Sequence, residues 1–239
     1  MRVAILRFPG TWSDRDFQHV IANVVGIPAD ILWHADASGF DGYDAVVLPG
    51  GFAYGDYVRA GAIARLSPAI AALRRFADGD GLVLGSCNGF QILCEAGLLP
   101  GALTRNDHLE FRCDWIHMRV ESEQSRWLRG LRGRVLRMPI AHGEGNYYVD
   151  AETHARLVAN GRIALRYCDA DGRVTSAANP NGALDNIAGI SNERGNVLGL
   201  MPHPERCSES LLGGTDGLLV LAALDTALAR PVLLGVAEN

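Results

Sequence analysis

Residues 82–93 read Leu-Val-Leu-Gly-Ser-Cys-Asn-Gly-Phe-Gln-Ile-Leu, an apolar run that breaks at a five-residue corner and resumes with helical spacing. Leu82 to Leu84 has the unbroken hydrophobicity of a strand buried on both faces, and Gly89 to Ala96 predicts a helix. The same alternation runs through the first hundred residues: strands over Val3–Leu6, Ala29–Trp33 and Ala45–Leu48, helices over Asp16–Val25 and Ser67–Ala77. Such a chain is constrained to an α/β fold, a doubly wound and mostly parallel sheet with helices on both faces. Farther on, Trp115–Val120, Val135–Met138, Arg162–Tyr167 and Ile187–Ser191 predict an added, partly antiparallel region. Asn196–Met201 returns to the apolar strand type, and a helix is expected from about Thr215 to Ala229 with Thr215 as N-cap. Without repeats, low-complexity tracts or a Ser/Gly linker, residues 1–239 are expected to form a single domain.

Composition excludes several classes of function. A formal charge of −5 argues against a nucleic-acid surface. No apolar run is long enough to span a membrane, and Phe8-Pro9-Gly10 ends the N-terminal apolar stretch too early for a secretory signal. Five cysteines, an odd number without a C-x-x-C pair, indicate reduced thiols and a cytoplasmic setting, with neither a disulfide frame nor a metal site.

Gly85-Ser86-Cys87-Asn88-Gly89 has the form of a nucleophile elbow, G-x-C-x-G after a strand. Side chains two residues either way of such a corner would collide with neighbouring elements, and glycine removes them. The helix that follows directs its N-terminus at the sulfur and favours thiolate. The Asn88 amide is placed to stabilise an oxyanion. A thiolate nucleophile needs a base and an orienting group. His203 stands just past the strand Asn196–Met201, at the carboxyl end where parallel sheets assemble their sites, and Glu205 follows two residues later. In an extended stretch, side chains at i and i+2 share a direction, so Glu205 can hold the His203 imidazole. After Ala45–Leu48, Pro49-Gly50-Gly51 offers a second oxyanion donor, for which Gly51 is the candidate.

Taken together, "LPGG", G-x-C-x-G with Gln91 four residues after the cysteine, and "HPE" resemble the class I glutamine amidotransferases. "PGGFAYGDYVRAGAIAR", "CNGFQILCEAGLLPGAL", "AHGEGNYY", "NPNG" followed by "IAGI", and "NVLGLMPHPER" resemble, more narrowly, the glutaminase subunits of phosphoribosylformylglycinamidine synthases, over Val3 to about Leu219. That resemblance implies a flavodoxin-like amidotransferase fold that hydrolyses L-glutamine to glutamate and ammonia. Cys87 would be nucleophile, His203 base and acid, Glu205 its orienter, and the Gly51 and Asn88 amides the oxyanion hole. Gln91, His142, Gly143 and Asn146 would serve the glutamine pocket, and Tyr54, Asp56 and Arg59 the partner interface. The implied partners are a large ATP-using synthetase subunit and a small bridging subunit. No G-x-x-x-x-G-K-[ST] motif occurs, so the chain is expected to hold no cofactor, with ATP and magnesium on the synthetase. The sequence departs from the family near its start: Thr11-Trp12-Ser13-Asp14 stands where an Asn-Cys-Asp run is usual after Pro-Gly. The competing expectation is a stand-alone cysteine amidase or peptidase on the same scaffold.

Overall fold

A computed structural model describes residues 1–222 and 224. Its elements in chain order are β1 (Val3–Arg7), α1 (Asp14–His19, continued by a π-helical stretch Val20–Val25), β2 (Ala29–Trp33), β3 (Ala45–Leu48), α2 (Pro68–Asp78), β4 (Leu82–Ser86) and α3 (Asn88–Glu95). There follow β5 (Ala102–Thr104), β6 (Arg112–Val120), β7 (Val135–His142), β8 (Asn146–Tyr148), α4 (Ala151–Ala159), β9 (Ile163–Cys168), β10 (Ile187–Ser191), β11 (Val197–Leu200) and α5 (Asp216–Leu221). The helix expected to about Ala229 is α5 as far as Leu221; most of its remainder lies outside the described residues.

One sheet runs in the order β2-β1-β3-β4-β11-β10-β9-β6-β7. The strands from β2 through β11 pair in parallel, and the rest extend the sheet antiparallel. The parallel part has the flavodoxin-like order, with its fifth strand supplied from far along the chain. Strands β1, β3, β4 and β11 are buried almost throughout, as near-continuous apolar runs require when helices cover both faces. Helix α2 begins where its sequence directs: Ser67 caps the Ala69 amide and Pro68 fills the first helical position, where no amide partner is needed.

Two pieces carry no clear sequence pattern. The β5–β8 ribbon is three residues long on each strand, too short to show alternation. Helix α4 buries only Leu157, so its apolar stripe is too thin to register as a 3.6-residue period, although Asp150 caps the Thr153 amide at 2.8 Å. No helix among the described residues is long and apolar enough to cross a membrane.

The glycines flanking Cys87 do what crowding requires. A Cβ on Gly85 would lie 2.7 Å from the Gly89 carbonyl and 2.6 Å from Leu93 Cδ1, and one on Gly89 would run into the Leu48 carbonyl oxygen. Helix α3 therefore sits directly on β3 and β4. Gly89→Ala should destabilise the fold by at least about 1–3 kcal/mol, the usual cost of overpacking a closed contact. Gly39→Ala, whose Cβ would meet nothing closer than 3.5 Å, is the control and should stay near wild type. Urea unfolding of both variants checks this.

Candidate active site

The Cys87 corner is strained and pinned. Cys87 adopts φ +50°, ψ −107°, a conformation that costs a non-glycine residue about 1–3 kcal/mol. Its amide donates to the Leu200 carbonyl at 2.8 Å, and its own carbonyl accepts from Phe90 and Gln91, which opens α3 directly at the sulfur. Ser86 donates its hydroxyl to the Pro202 carbonyl at 3.0 Å, so the residue before Cys87 is tied to the turn carrying His203, 116 positions away.

Beyond β11, Pro202-His203-Pro204-Glu205 leaves the sheet edge. His203 Nδ1 and Glu205 Oε1 stand 2.6 Å apart, and both residues are buried. The pairing is reached differently from the extended stretch that the sequence suggested. Pro204–Arg206 forms a 3₁₀ turn with Arg206 N–H on the His203 carbonyl, and that turn curls the carboxylate back to the ring. The imidazole lies against Gly50, where a Cβ would come within 2.6 Å of its Cε1. Gly50 thus makes room for the imidazole, a role its place in "LPGG" did not reveal. His203 Nε2 is buried without a closed hydrogen bond. Burial lowers the His203 pKa, but Glu205 and then Cys87 outweigh it and carry the value up to about 10. The Cys87 thiol makes a long contact, 3.7 Å, with the Ala141 carbonyl.

A cavity of about 200 Å³ opens on Cys87 and is walled by Gly51, Gln91, His142 and Gly143. A Cβ on Gly51 would strike Gly10 O at 2.6 Å and Trp12 N at 2.7 Å, because the N-terminal loop bridges to it. Its amide and that of Asn88 take no hydrogen-bond partner among the described residues. The departing N-terminal loop braces this turn: Gly50 N–H donates to the Ser13 hydroxyl at 2.9 Å, and Asp14 pairs with Arg7. Gln91 is held on both sides, accepting from the Asn88 side chain at 2.9 Å and donating to the Glu144 carbonyl at 2.7 Å.

Other expected site residues are distributed less simply. Asn146 stands in β8, bonded through its carbonyl to Thr104, and is not on the cavity wall. Tyr54 is half-buried, with its hydroxyl 3.1 Å from His34 Nε2. Asp56 faces inward onto the cavity, where burial and then Glu144 raise its carboxyl to about 6. Arg59 is exposed and forks onto Glu95. Sequence reasoning missed Glu144 and Phe111 on the wall, although Glu144 sits inside the quoted "AHGEGN". It also missed an exposed aromatic run at the mouth: Trp12 (71% exposed) edge-on to Phe52 (43%), which in turn packs against Phe111 (54%).

Behind the wall, Asn181 fixes the state of His142. Asn181 Oδ1 accepts from the Ala183 amide, which identifies Nδ2 as the donor; Nδ2 reaches Gly145 O at 2.9 Å and His142 Nε2 at 3.0 Å. His142 is therefore the neutral Nδ1–H tautomer, and burial followed by His203 pushes its pKa down to about 3.

Comparison with known proteins adds to this geometry. Residues 1–213 match the family model described as the CobB/CobQ-like glutamine amidotransferase domain. The chain is 56% identical to the phosphoribosylformylglycinamidine synthase subunit PurQ of Moorella thermoacetica, over 94% of this chain and 95% of the relative. It is 52% identical to the PurQ subunit of Thermomicrobium roseum, with the same coverage. Among solved structures, PurLQS from Thermotoga maritima includes a chain that superposes with a TM-score of 0.83 at 37% identity, covering 95% of this chain and 99% of that one.

Glu205 supplies the largest of the effects that raise the His203 pKa. In Glu205→Gln, imidazole NMR should show the His203 midpoint falling from about 10 by at least about one unit, since a neutral amide no longer favours the cation. The sign carries over to stability. A raised imidazole pKa stabilises the fold fully below its ordinary value near 6.5, and the contribution fades as pH climbs through about 10. Between pH 7 and 10 the wild-type chain should therefore lose stability more steeply than Glu205→Gln in urea unfolding.

Proposed function

The chain belongs to the CobB/CobQ-like glutamine amidotransferase family, and from that premise we propose that it is the glutaminase subunit of a phosphoribosylformylglycinamidine synthase. It hydrolyses L-glutamine to glutamate and ammonia, and the ammonia is passed to an ATP-dependent synthetase subunit that converts formylglycinamide ribonucleotide to formylglycinamidine ribonucleotide. The observation that carries the reading is the meeting, on one sheet edge, of Cys87 with a buried His203–Glu205 pair beside two unpartnered amides.

The chemistry follows from that arrangement. With the proton of the Cys87–His203 pair resting on the imidazole, whose pKa is raised to about 10, the Cys87 thiolate attacks the glutamine carboxamide carbon, forming a C–S bond. Charge builds on the carboxamide oxygen against the Gly51 and Asn88 amides, each such donor contributing about 3 kcal/mol to the transition state. The imidazolium, kept protonated by Glu205, gives its proton to the leaving nitrogen; the C–N bond breaks, ammonia departs and a γ-glutamyl thioester remains. The imidazole then deprotonates water, which attacks the thioester and releases glutamate and the thiol. Gln91, His142 and Gly143 wall the substrate's cavity.

Released ammonia is protonated in bulk water and lost as a nucleophile, so the site makes sense beside a synthetase. The exposed Trp12-Phe52-Phe111 run at the cavity mouth is the surface that the large synthetase subunit and the small subunit would cover. Tyr57 and Val58, also exposed, extend it, with Arg59 at its side. ATP and magnesium belong to the synthetase in this reading, and the five free thiols suit a reducing cytoplasm.

Cys87→Ala should abolish glutamine-dependent synthesis in the assembled complex while leaving synthesis from ammonium intact, measured by product formation with each nitrogen source. Retained glutaminase turnover would overturn the nucleophile. Trp12→Ala should leave the fold intact by circular dichroism yet weaken assembly about tenfold or more, as loss of an aromatic anchor does. Titration calorimetry against the synthetase reads this directly.

A further inference from the structure

The cavity that opens on Cys87 carries charge that the proposed steps at the sulfur leave unused. Its wall includes Asp56 and Glu144, holds no lysine or arginine, and has as its one histidine the neutral His142. The two carboxylates feel each other, since Glu144 is second only to burial in raising the Asp56 carboxyl. Like charges on one wall destabilise each other unless a cation joins them. Neither makes an ion pair among the described residues: Arg59, which responds to the charge of Glu144, is exposed and forked onto Glu95.

Each carboxylate keeps one oxygen open. Asp56 Oδ1 accepts from the Asn88 side-chain amide and Glu144 Oε2 from the Ala60 amide, both at 3.4 Å. Asp56 Oδ2 and Glu144 Oε1 take no partner among the described residues, yet neither belongs to the fully buried unpartnered atoms. Both residues are half-buried, so these two oxygens retain accessible surface on the wall of the cavity. Their backbones are held in place. Asn88 Oδ1 accepts the Ala53 amide at 3.1 Å, which clamps the loop carrying Asp56 to the first turn of α3, and the Glu144 carbonyl accepts from Gln91 Nε2. Gln91 is thereby engaged at both ends of its amide, since its oxygen accepts from Asn88. The same cavity is marked as a ligand site from its other side: His203, 3% exposed, leaves Nε2 without a closed partner beside the Cys87 sulfur.

We propose that Asp56 and Glu144 are the specificity-determining residues of this cavity, binding the α-ammonium of L-glutamine on Asp56 Oδ2 and Glu144 Oε1 while the carboxamide reaches Cys87. The assignment rests on the glutaminase reading and names how that site tells glutamine from other amides. The α-ammonium is the one cation that glutamine carries, and it stands at the opposite end of the side chain from the reacting carboxamide. Its N–H groups donate to ionised oxygens, the stronger class of hydrogen bond, and its charge relieves the repulsion between the two carboxylates. An amide without that amine leaves both carboxylates unpaired in a half-closed cavity, and a site built around a polar group of its substrate rejects such an analogue.

The test compares L-glutamine with glutaramate, the same amide acid without its amine, by kcat/KM for ammonia release in the assembled complex. Wild type should prefer L-glutamine by about a hundredfold or more. Asp56→Asn and the isosteric Glu144→Gln should each cut that preference about tenfold or more, mainly through KM for L-glutamine. A merely structural role would lower both amides together and leave their ratio where it was; that result overturns the proposal, as does a wild-type preference below about tenfold. Should either variant lose turnover of both amides, the complex assembled with Cys87→Ala carries the measurement. There, adding Asp56→Asn or Glu144→Gln should weaken L-glutamine binding about tenfold in titration calorimetry, and unchanged affinity overturns the assignment. A wild-type complex that releases no ammonia from L-glutamine brings down the glutaminase reading and this proposal with it, whereas wild-type turnover with an unmoved ratio brings down the proposal alone.

Discussion

The parallel pairing of β11 against β4 sets Leu200 opposite Ser86 and Gly199 opposite Gly85, and lets the Cys87 amide close the ladder on the Leu200 carbonyl. Register at that one seam decides whether the site exists. A slip of one residue would turn every side chain of β11 to the other face of the sheet and carry the His203 turn away from the sulfur. Two further contacts guard the seam: Ser86 to the Pro202 carbonyl, and the His203 amide to the Pro139 carbonyl on β7. The antiparallel half of the sheet thus helps fix His203 beside Cys87, which stands in the parallel half.

Close approach is the price of that seam, and glycine meets it at each crossing. Gly89 lets α3 rest on the Leu48 carbonyl, Gly199 leaves space for the Phe90 ring, and Gly50 clears the His203 imidazole. Because α3 is pressed so tightly on the sheet, its first turn cannot drift, and the left-handed conformation of Cys87 is held by surrounding structure rather than by its own preference. The strain at Cys87 and the amides of Gly51 and Asn88, unpartnered among the described residues, gather at this one corner.

Much of this was legible in the residues. Strand runs such as Ala45–Leu48 and Ile187–Ser191 coincide with β3 and β10, because fully buried strands announce themselves as near-continuous apolar runs. Cys87, His203 and Glu205, which the structure brings together, are singled out by a glycine-flanked corner and a proline-flanked histidine, both of which are local patterns. What escaped was whatever depends on surroundings. Helix α4 buries one leucine and leaves no periodic trace. Asp56 reads as a surface acid beside Tyr57 and Val58, yet three consecutive positive-φ residues, Tyr54, Gly55 and Asp56, turn its carboxylate inward. Asn146 lies only four residues from His142, but the chain enters β8 between them and leaves the wall.

His142 and His203 show how two identical side chains, both buried near one sulfur, come to opposite protonation. Burial disfavours the cation in both. At His203 the carboxylate of Glu205 and the sulfur of Cys87 outweigh it, and the pKa stands at about 10. At His142 the partner is the Asn181 amide, which donates and so offers nothing to a proton; the charge of His203 opposes it further, and the pKa falls to about 3. A second cation at His142 would be repelled by the charge of His203 and cost its own desolvation. Holding His142 neutral leaves His203 the one histidine of the pair that carries a proton on both ring nitrogens, and environments that push two titratable groups apart in this way are what an acid–base site needs.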